Sequence, residues 1–152
     1  MLIPVIKPLI EIPRSKLLET VYYPYSVFHV EIEVRGVLKI RRKLRGYVAV
    51  DLVRNLVFLA DSMPEIVYVD VDPRTVIKPR IPIEEAESRA RRKMVYVSMR
   101  RYKVVLPVDV RVLNKVLAYK AFYVIDERSD RGRVLVVDSI TGEHSEVRTN
   151  EV

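Results

Sequence analysis

The sequence predicts an α+β fold made of two quasi-repeated helix–β-hairpin units, with a mostly antiparallel sheet covered by about three helices. The first observation behind this prediction is an echo between residues 12–60 and residues 106–147. Each stretch opens on an apolar residue and a proline, continues through a short helix-like run, and then reads as strands separated by tight turns. The second observation is a strong helical pattern between them. We therefore predict a single domain over 1–152, with the two copies joined by a linker and a helix at 72–105.

Three runs are expected to be helical. The strongest is Ile83 to Arg100, because glutamates fill its first turns and arginines its last, as the helix dipole favours. A short helix from Ser15 to Val21 is predicted in the first copy, where Ser15 can cap the helix and Pro24 ends it. Its counterpart in the second copy runs from Asp109 to Leu117.

The strands and turns follow from alternation and from turn residues. Alternating side chains from Tyr25 to Val34 predict a strand with one buried face. Asp51 with Asn55, and Asp138 with Gly142, predict a tight turn in each copy, since aspartate can bond local amides and the later residue tolerates positive φ. The predicted core residues are Phe28, Val30, Val48, Val50, Phe122, Val124, Leu135 and Val137.

The positive charge is concentrated in two segments. The chain has a net charge of +7, yet residues 35–45 hold six basic residues, residues 89–103 hold seven, and neither segment contains an acid. Such localisation indicates a polyanionic or acidic partner. Arg41, Arg42 and Lys43 fall between two predicted strands and are expected to project on a hairpin. The candidate polyanion-binding residues are Arg35, Lys39, Arg41, Arg42, Lys43, Arg45, Arg89, Arg92, Lys93, Arg100 and Arg101.

Catalytic signals are few. There is no cysteine, which excludes disulfides and thiolate zinc sites, and four glycines leave no phosphate-cradling loop. His29 and His144 lack a partner at ligand spacing, and we expect no cofactor or metal. The predicted function is a non-catalytic module that binds nucleic acid or an acidic protein. The alternative is a small metal-dependent enzyme, such as a nuclease, that uses Asp51 or Asp138.

Other features of the sequence bear on the expected location of the protein, on its source and on the role of its tyrosines. No targeting segment or apolar run of membrane-spanning length is visible, so we expect a cytoplasmic protein. The absence of glutamine and cysteine is typical of proteins from hot-growing organisms. The nine tyrosines have two interpretations, base stacking near a basic groove or amphipathic packing at the edge of a core. The clustered ones are Tyr22, Tyr23, Tyr25, Tyr119 and Tyr123.

Two stretches resemble the PepSY-type module. Residues 81–90, which read Ile-Pro-Ile-Glu-Glu-Ala-Glu-Ser-Arg-Ala, are similar to the helix opening of that family. Residues 123–125 followed by 137–143, the latter reading Val-Asp-Ser-Ile-Thr-Gly-Glu, are similar to its closing hairpin. The resemblance covers mainly the second half of the chain. It implies a small, non-catalytic helix-on-sheet module that interacts with or inhibits a partner protein.

Overall fold

The computed structural model of the chain describes residues 1–35, 41–101, 106–127 and 133–147. Most of these residues lie in strands. The strands are β1 (Leu2–Ile6), β2 (Leu17–Arg35), β3 (Arg41–Asp51), β4 (Val57–Ala60), β5 (Ile66–Asp70), β6 (Leu106–Glu127), β7 (Arg133–Asp138) and β8 (His144–Val147). The described ranges contain one α-helix, α1 (Ile83–Arg101). Neither α1 nor any other described helix is long and apolar enough to cross a membrane.

The predicted fold class is wrong, because the described part of the chain is mostly β-sheet and has one α-helix where about three were expected. In the run from Ser15 to Val21, the first two residues belong to a turn and the rest lie in β2, while the run from Asp109 to Leu117 lies wholly within β6. Val110 and Val112 alternate with charged neighbours and pack against a core, which is the period of a strand. Sheet pairing and burial thus override a weak helical signal.

The basic segment around Arg41 also differs from its prediction. Arg41, Arg42 and Lys43 were expected to project on a hairpin loop, but all three lie within β3, which is paired with β2 from its first residue. Because a strand points successive side chains to opposite faces, these three residues do not share one surface. Lys39 lies outside the described residues.

The chain divides into two compact units, and neither is a continuous segment. Unit 1 comprises Met1–Pro24, Glu65–Lys78 and Ala118–Val152, and unit 2 comprises Tyr25–Pro64 and Pro79–Leu117. Strands β2 and β6 contribute residues to both units.

In unit 2, α1 covers one face of a sheet with the strand order β4-β3-β2-β6. Ala86, Ala90 and Met94 recur at helical spacing and form the buried side of α1. The helix approaches β3 closely, because a Cβ on Gly46 would lie 2.8 Å from Cε of Met94. The Ile81 amide, two residues before α1, donates to the carbonyl of Leu52, the residue that follows the last residue of β3. The helix therefore runs antiparallel to β3.

The predicted core is largely confirmed. Phe28, Val30, Val48 and Val50 are fully buried in unit 2, in the cluster that α1 covers. In unit 1, the other members of the prediction divide. Leu135 and Val137 are buried, whereas Phe122 and Val124 are half-buried.

In unit 1, β1 lies between β5 and β6. It pairs antiparallel with β5 along its whole length and parallel with β6, where Val5 lies beside Tyr119. Ile3, Val5, Tyr119 and Ala121 form the buried cluster of this unit. Strands β7 and β8 continue antiparallel from β6.

The same turn occurs in two three-stranded antiparallel segments, which we call the first hairpin (β2, β3 and β4) and the second hairpin (β6, β7 and β8). In the first the turn joins β3 to β4, and in the second it joins β7 to β8. In the first, Oδ1 of Asp51 accepts hydrogen bonds of 2.9 and 2.8 Å from the amides two and three residues further on. In the second, Oδ1 of Asp138 accepts bonds of 2.8 and 3.2 Å from amides at the same offsets. The residue four positions after each aspartate has positive φ, 64° at Asn55 and 75° at Gly142. Both aspartates therefore cap their turns, as the sequence predicts.

Candidate nucleic-acid interface

The face of the unit 2 sheet opposite α1 carries both cations and aromatic rings. Its rows follow from the antiparallel register, in which Tyr47 lies between His29 of β2 and Ala60 of β4. Moving along β3 toward its start, the next rows hold Arg45, then Lys43, then Arg41. We call this surface the cationic–aromatic face. It comprises Tyr25, His29, Arg35, Arg41, Lys43, Arg45, Tyr47 and Phe58.

One end of this face holds positive charges that the described part of the fold does not fully neutralise. Arg35 and Arg41 are directly opposite one another in the β2–β3 ladder. Like charges at such a position destabilise a sheet. Arg41 reaches Glu33 at 3.6 Å, while Lys43 makes no ion pair with any described residue. An anion bound at this end would relieve the repulsion.

Acids on neighbouring strands offset part of the charge. The Nε atom of Arg45 lies 2.8 Å from Oε2 of Glu31, a carboxylate whose side chain is only 8% exposed. Glu33, which is opposite Lys43 in the ladder, pairs with Arg41. On β6, Asp109 instead accepts a 2.6 Å hydrogen bond from Nε of Arg111 on its own strand, and this bond raises the pKa of Arg111. The absence of acids within residues 35–45 therefore overstates the positive charge, because the partners lie across the sheet.

The other end of the face holds two ring pairs. The rings of His29 and Tyr47 are stacked, with centroids 4.5 Å apart and planes inclined by 15°. Tyr25 and Phe58 meet edge to face at 6.1 Å across β3, and Phe58 is 44% exposed. His29 thus points away from the core, as predicted. Rings beside cations form the chemical combination that binds single-stranded nucleic acid in many folds.

The basic residues of α1 lie on the opposite side of this sheet. Arg92 and Arg100 lie on the exposed side of the helix. There, Nη2 of Arg92 lies 3.4 Å from Oγ of Ser88, and the Arg100 guanidinium lies over the Tyr96 ring. Because α1 packs on the other face, its cations cannot join the cationic–aromatic face. Arg42 is also on the helix side, since its register partner is the core residue Val34.

The remaining basic candidates of α1 are Arg89, Lys93 and Arg101. Arg89 pairs with Glu85 at 3.0 Å, one turn earlier. Lys93 is half-buried, and Arg101 is the exposed last residue of the helix. The described candidates, which exclude Lys39, therefore do not form one surface. Among them, the structure brings together Arg35, Arg41, Lys43 and Arg45.

The two turn aspartates have structural partners. The two backbone amides that donate hydrogen bonds to the Asp51 carboxylate belong to its own turn, and Asp51 is 5% exposed. Asp138 additionally binds Nζ of Lys120 at 2.8 Å. Burial acts to raise the pKa of Asp138, but the hydrogen bonds from Lys120 and from the two turn amides outweigh it, so the pKa lies below its ordinary value. Across the described ranges, no group of three or more His, Cys, Asp or Glu residues is arranged to hold a metal ion.

Three of the clustered tyrosines belong to the unit 1 interior. Tyr22, Tyr119 and Tyr123 pack in or against its buried cluster, and burial raises the pKa of each hydroxyl. Tyr23 meets the Phe122 ring edge to face at 6.1 Å in the same unit. Four of the five clustered tyrosines are thus packing residues, and the fifth is part of the cationic–aromatic face.

Comparisons with protein-family models, with curated proteins and with solved structures gave no match for this chain. The candidate site therefore depends on its own geometry. Sequence reasoning missed Tyr47 and Phe58 as candidate residues. A signal for Tyr47 was present, because Arg41, Lys43 and Arg45 precede it at strict two-residue spacing.

Proposed function

We propose that this protein is a non-catalytic module that binds nucleic acid through the cationic–aromatic face, in the cytoplasm as the sequence predicts. The observation that carries the proposal is that Arg35, Arg41 and Lys43 share one sheet face with two ring pairs, with Arg45 between the two groups. Phosphates are opposite in charge to the guanidinium groups and fit their hydrogen-bond geometry. Bases can stack on the aromatic rings.

The rings favour nucleic acid over an acidic protein. An acidic surface would satisfy the same cations, but it would gain little from Tyr47 and Phe58, which lie on the same sheet face. The opposed pair Arg35 and Arg41 adds weight, because a fold gains no stability from facing two cations. An anionic ligand supplies a physical reason for their position.

A charge-matched pair of triple variants tests the proposal. The test variant replaces Arg35, Arg41 and Lys43 with glutamine. The control removes three charges from the helix side instead, at Arg92, Arg100 and Arg101. Fluorescence anisotropy of a labelled oligonucleotide at several salt concentrations gives the slope of log affinity against log salt for each protein.

We expect the test variant to lower that slope by about two to three, because each lost phosphate contact removes about 0.7–0.9. The control should keep the wild-type slope. Equal losses in both variants would point to diffuse charge attraction and would reject this face as the site. An absence of binding at low salt would reject nucleic acid altogether.

A further inference from the structure

We infer that the ligand is single-stranded and that one base stacks on Tyr47, above Ala60. This inference rests on the proposed function and names the strand class that the same face takes. It follows from the direction of the ring stack, from the size of the neighbouring side chain and from the position of the nearest cations.

The ring stack runs across the strands. His29 and Tyr47 are register partners on β2 and β3, and their rings are nearly parallel at 4.5 Å. That distance is close to the strand spacing of about 4.8 Å. The stacking direction therefore follows the row from β2 to β3, and the second face of the Tyr47 ring points toward β4.

The next position in this row is small. Ala60 is the register partner of Tyr47 on β4, which ends the strand order in the described sheet. Ala60 is half-buried, and its methyl group covers less of the Tyr47 ring than a larger side chain at this position would. Phe58, on the same face of β4, bounds this position along the strand and is 44% exposed. A planar base placed over Ala60 would extend the stack by one ring.

Cations lie at a suitable distance from that position. Arg45 is two residues from Tyr47 on the same face of β3, which corresponds to about 6.6 Å along the strand. Its side chain is 62% exposed although Nε binds Glu31. The phosphate of a stacked nucleotide can therefore meet Arg45 or Lys43 while its base stays on Tyr47.

A duplex cannot use this arrangement. Its bases are already stacked and paired, so their flat surfaces are closed to Tyr47, and only its phosphates remain available. Single strands and duplexes should then bind with similar contributions from charge, but only the single strand gains from the ring.

The experiment compares three labelled probes of equal length with the full chain: an oligothymidylate, an abasic oligonucleotide with the same phosphates, and a duplex. The oligothymidylate should bind about tenfold more tightly than the abasic probe, as stacking of one base allows. Tyr47→Ala and Ala60→Leu should each abolish this preference and leave the salt slope unchanged. In Ala60→Leu the ring remains, but the added side chain occupies the place of the base.

A second readout covers variants that fold poorly. The chain has no tryptophan, so Tyr47→Trp introduces a single tryptophan, which can be excited separately from the tyrosines, at the proposed stacking position. Its emission should be quenched by the oligothymidylate and not by the abasic probe. Equal affinity for the two probes, or quenching by both, would overturn the stacking inference. The salt-slope test of the three cations would still decide separately whether the face binds nucleic acid.

Discussion

The two hairpins share a turn and differ in the face that the turn supports. In the first hairpin, the aspartate that caps the turn, Asp51, is opposite Tyr25 in the ladder, and in the second Asp138 is opposite Phe122. Each then passes through a residue of positive φ into a third strand. The internal duplication remains a prediction, but the correspondence allows the two faces to be compared position by position.

The faces diverge directly beyond the turn. Where the first hairpin pairs His29 with Tyr47, the second pairs Asp126 with Val134. Where the first has Ala60 beside its central ring, the second has Val147. The turn therefore depends on an aspartate that both hairpins keep and on a positive-φ residue, Asn55 in one and Gly142 in the other, whereas the chemistry of each face depends on residues that the turn does not constrain. Stability and binding should respond to different substitutions.

Removing the turn aspartate of the second hairpin should have the largest effect. Asp138→Ala deprives two amides of their acceptor and leaves Lys120, 19% exposed, without this carboxylate. We expect a loss of about 3–5 kcal/mol in the free energy of unfolding. Chemical denaturation measures it. Lys120→Met is the matched control, since it removes the ion pair and keeps the turn, and should cost about 1–3 kcal/mol. Equal losses in both variants would mean that the turn bonds contribute nothing.

Acid should reveal the same carboxylate. The pKa of Asp138 is lower in the folded chain than its ordinary value of 3.8, so the unfolded state binds the proton more readily. This part of the stability is fully present above pH 3.8 and is lost as the pH falls through the folded pKa. Unfolding measured from pH 7 to pH 2 should show the Asp138→Asn variant well below wild type at neutral pH and approaching it in acid. A constant gap would contradict the linkage.

The positive-φ position should distinguish the hairpins more mildly. Gly142→Ala forces a side chain into the left-handed region and brings a Cβ within 2.6 Å of Cδ1 of Ile10, so we expect a loss of about 1–2 kcal/mol. Asn55→Gly keeps the required backbone freedom and should change stability by about 0.5 kcal/mol or less. Thermal unfolding compares them. A harmless alanine at 142 would argue that this hairpin tolerates another turn geometry.

The smallest effects are expected on the cationic–aromatic face, where one substitution should raise thermal stability and weaken oligonucleotide binding at the same time. Arg35→Gln removes the like-charge pair with Arg41 and should raise Tm by about 1–3 °C while weakening oligonucleotide binding. Lys43 is directly opposite Glu33, so Lys43→Gln should lower Tm slightly and weaken binding too. Calorimetry and anisotropy on the same samples measure both quantities. If Arg35→Gln destabilises the protein, the opposed arginines are not a cost to the fold.

Local signals in the sequence were reliable where a few neighbouring residues decide the structure. The turns at Asp51 and Asp138, the buried face of β2, and α1 all follow from such signals. The run from Asp109 to Leu117 failed because its valines fit either a helix or a strand, and only pairing within the sheet decides between them. The net positive charge around Arg45 was overestimated from the sequence for a related reason. Its partner Glu31 is fourteen positions away in sequence but directly opposite Arg45 in the ladder.

The division of the chain has a consequence for the order in which the protein forms during synthesis. Unit 2 needs nothing beyond Leu117, whereas unit 1 combines segments from both ends and waits for residues after Ala118. Because chains emerge from the ribosome N-terminus first, the sheet that bears Tyr47 and Arg45 has all its residues before unit 1 does. Strand β1 can pair with β5 at that stage, but its other edge stays exposed to chaperones or to aggregation until the part of β6 that contains Tyr119 has been synthesised.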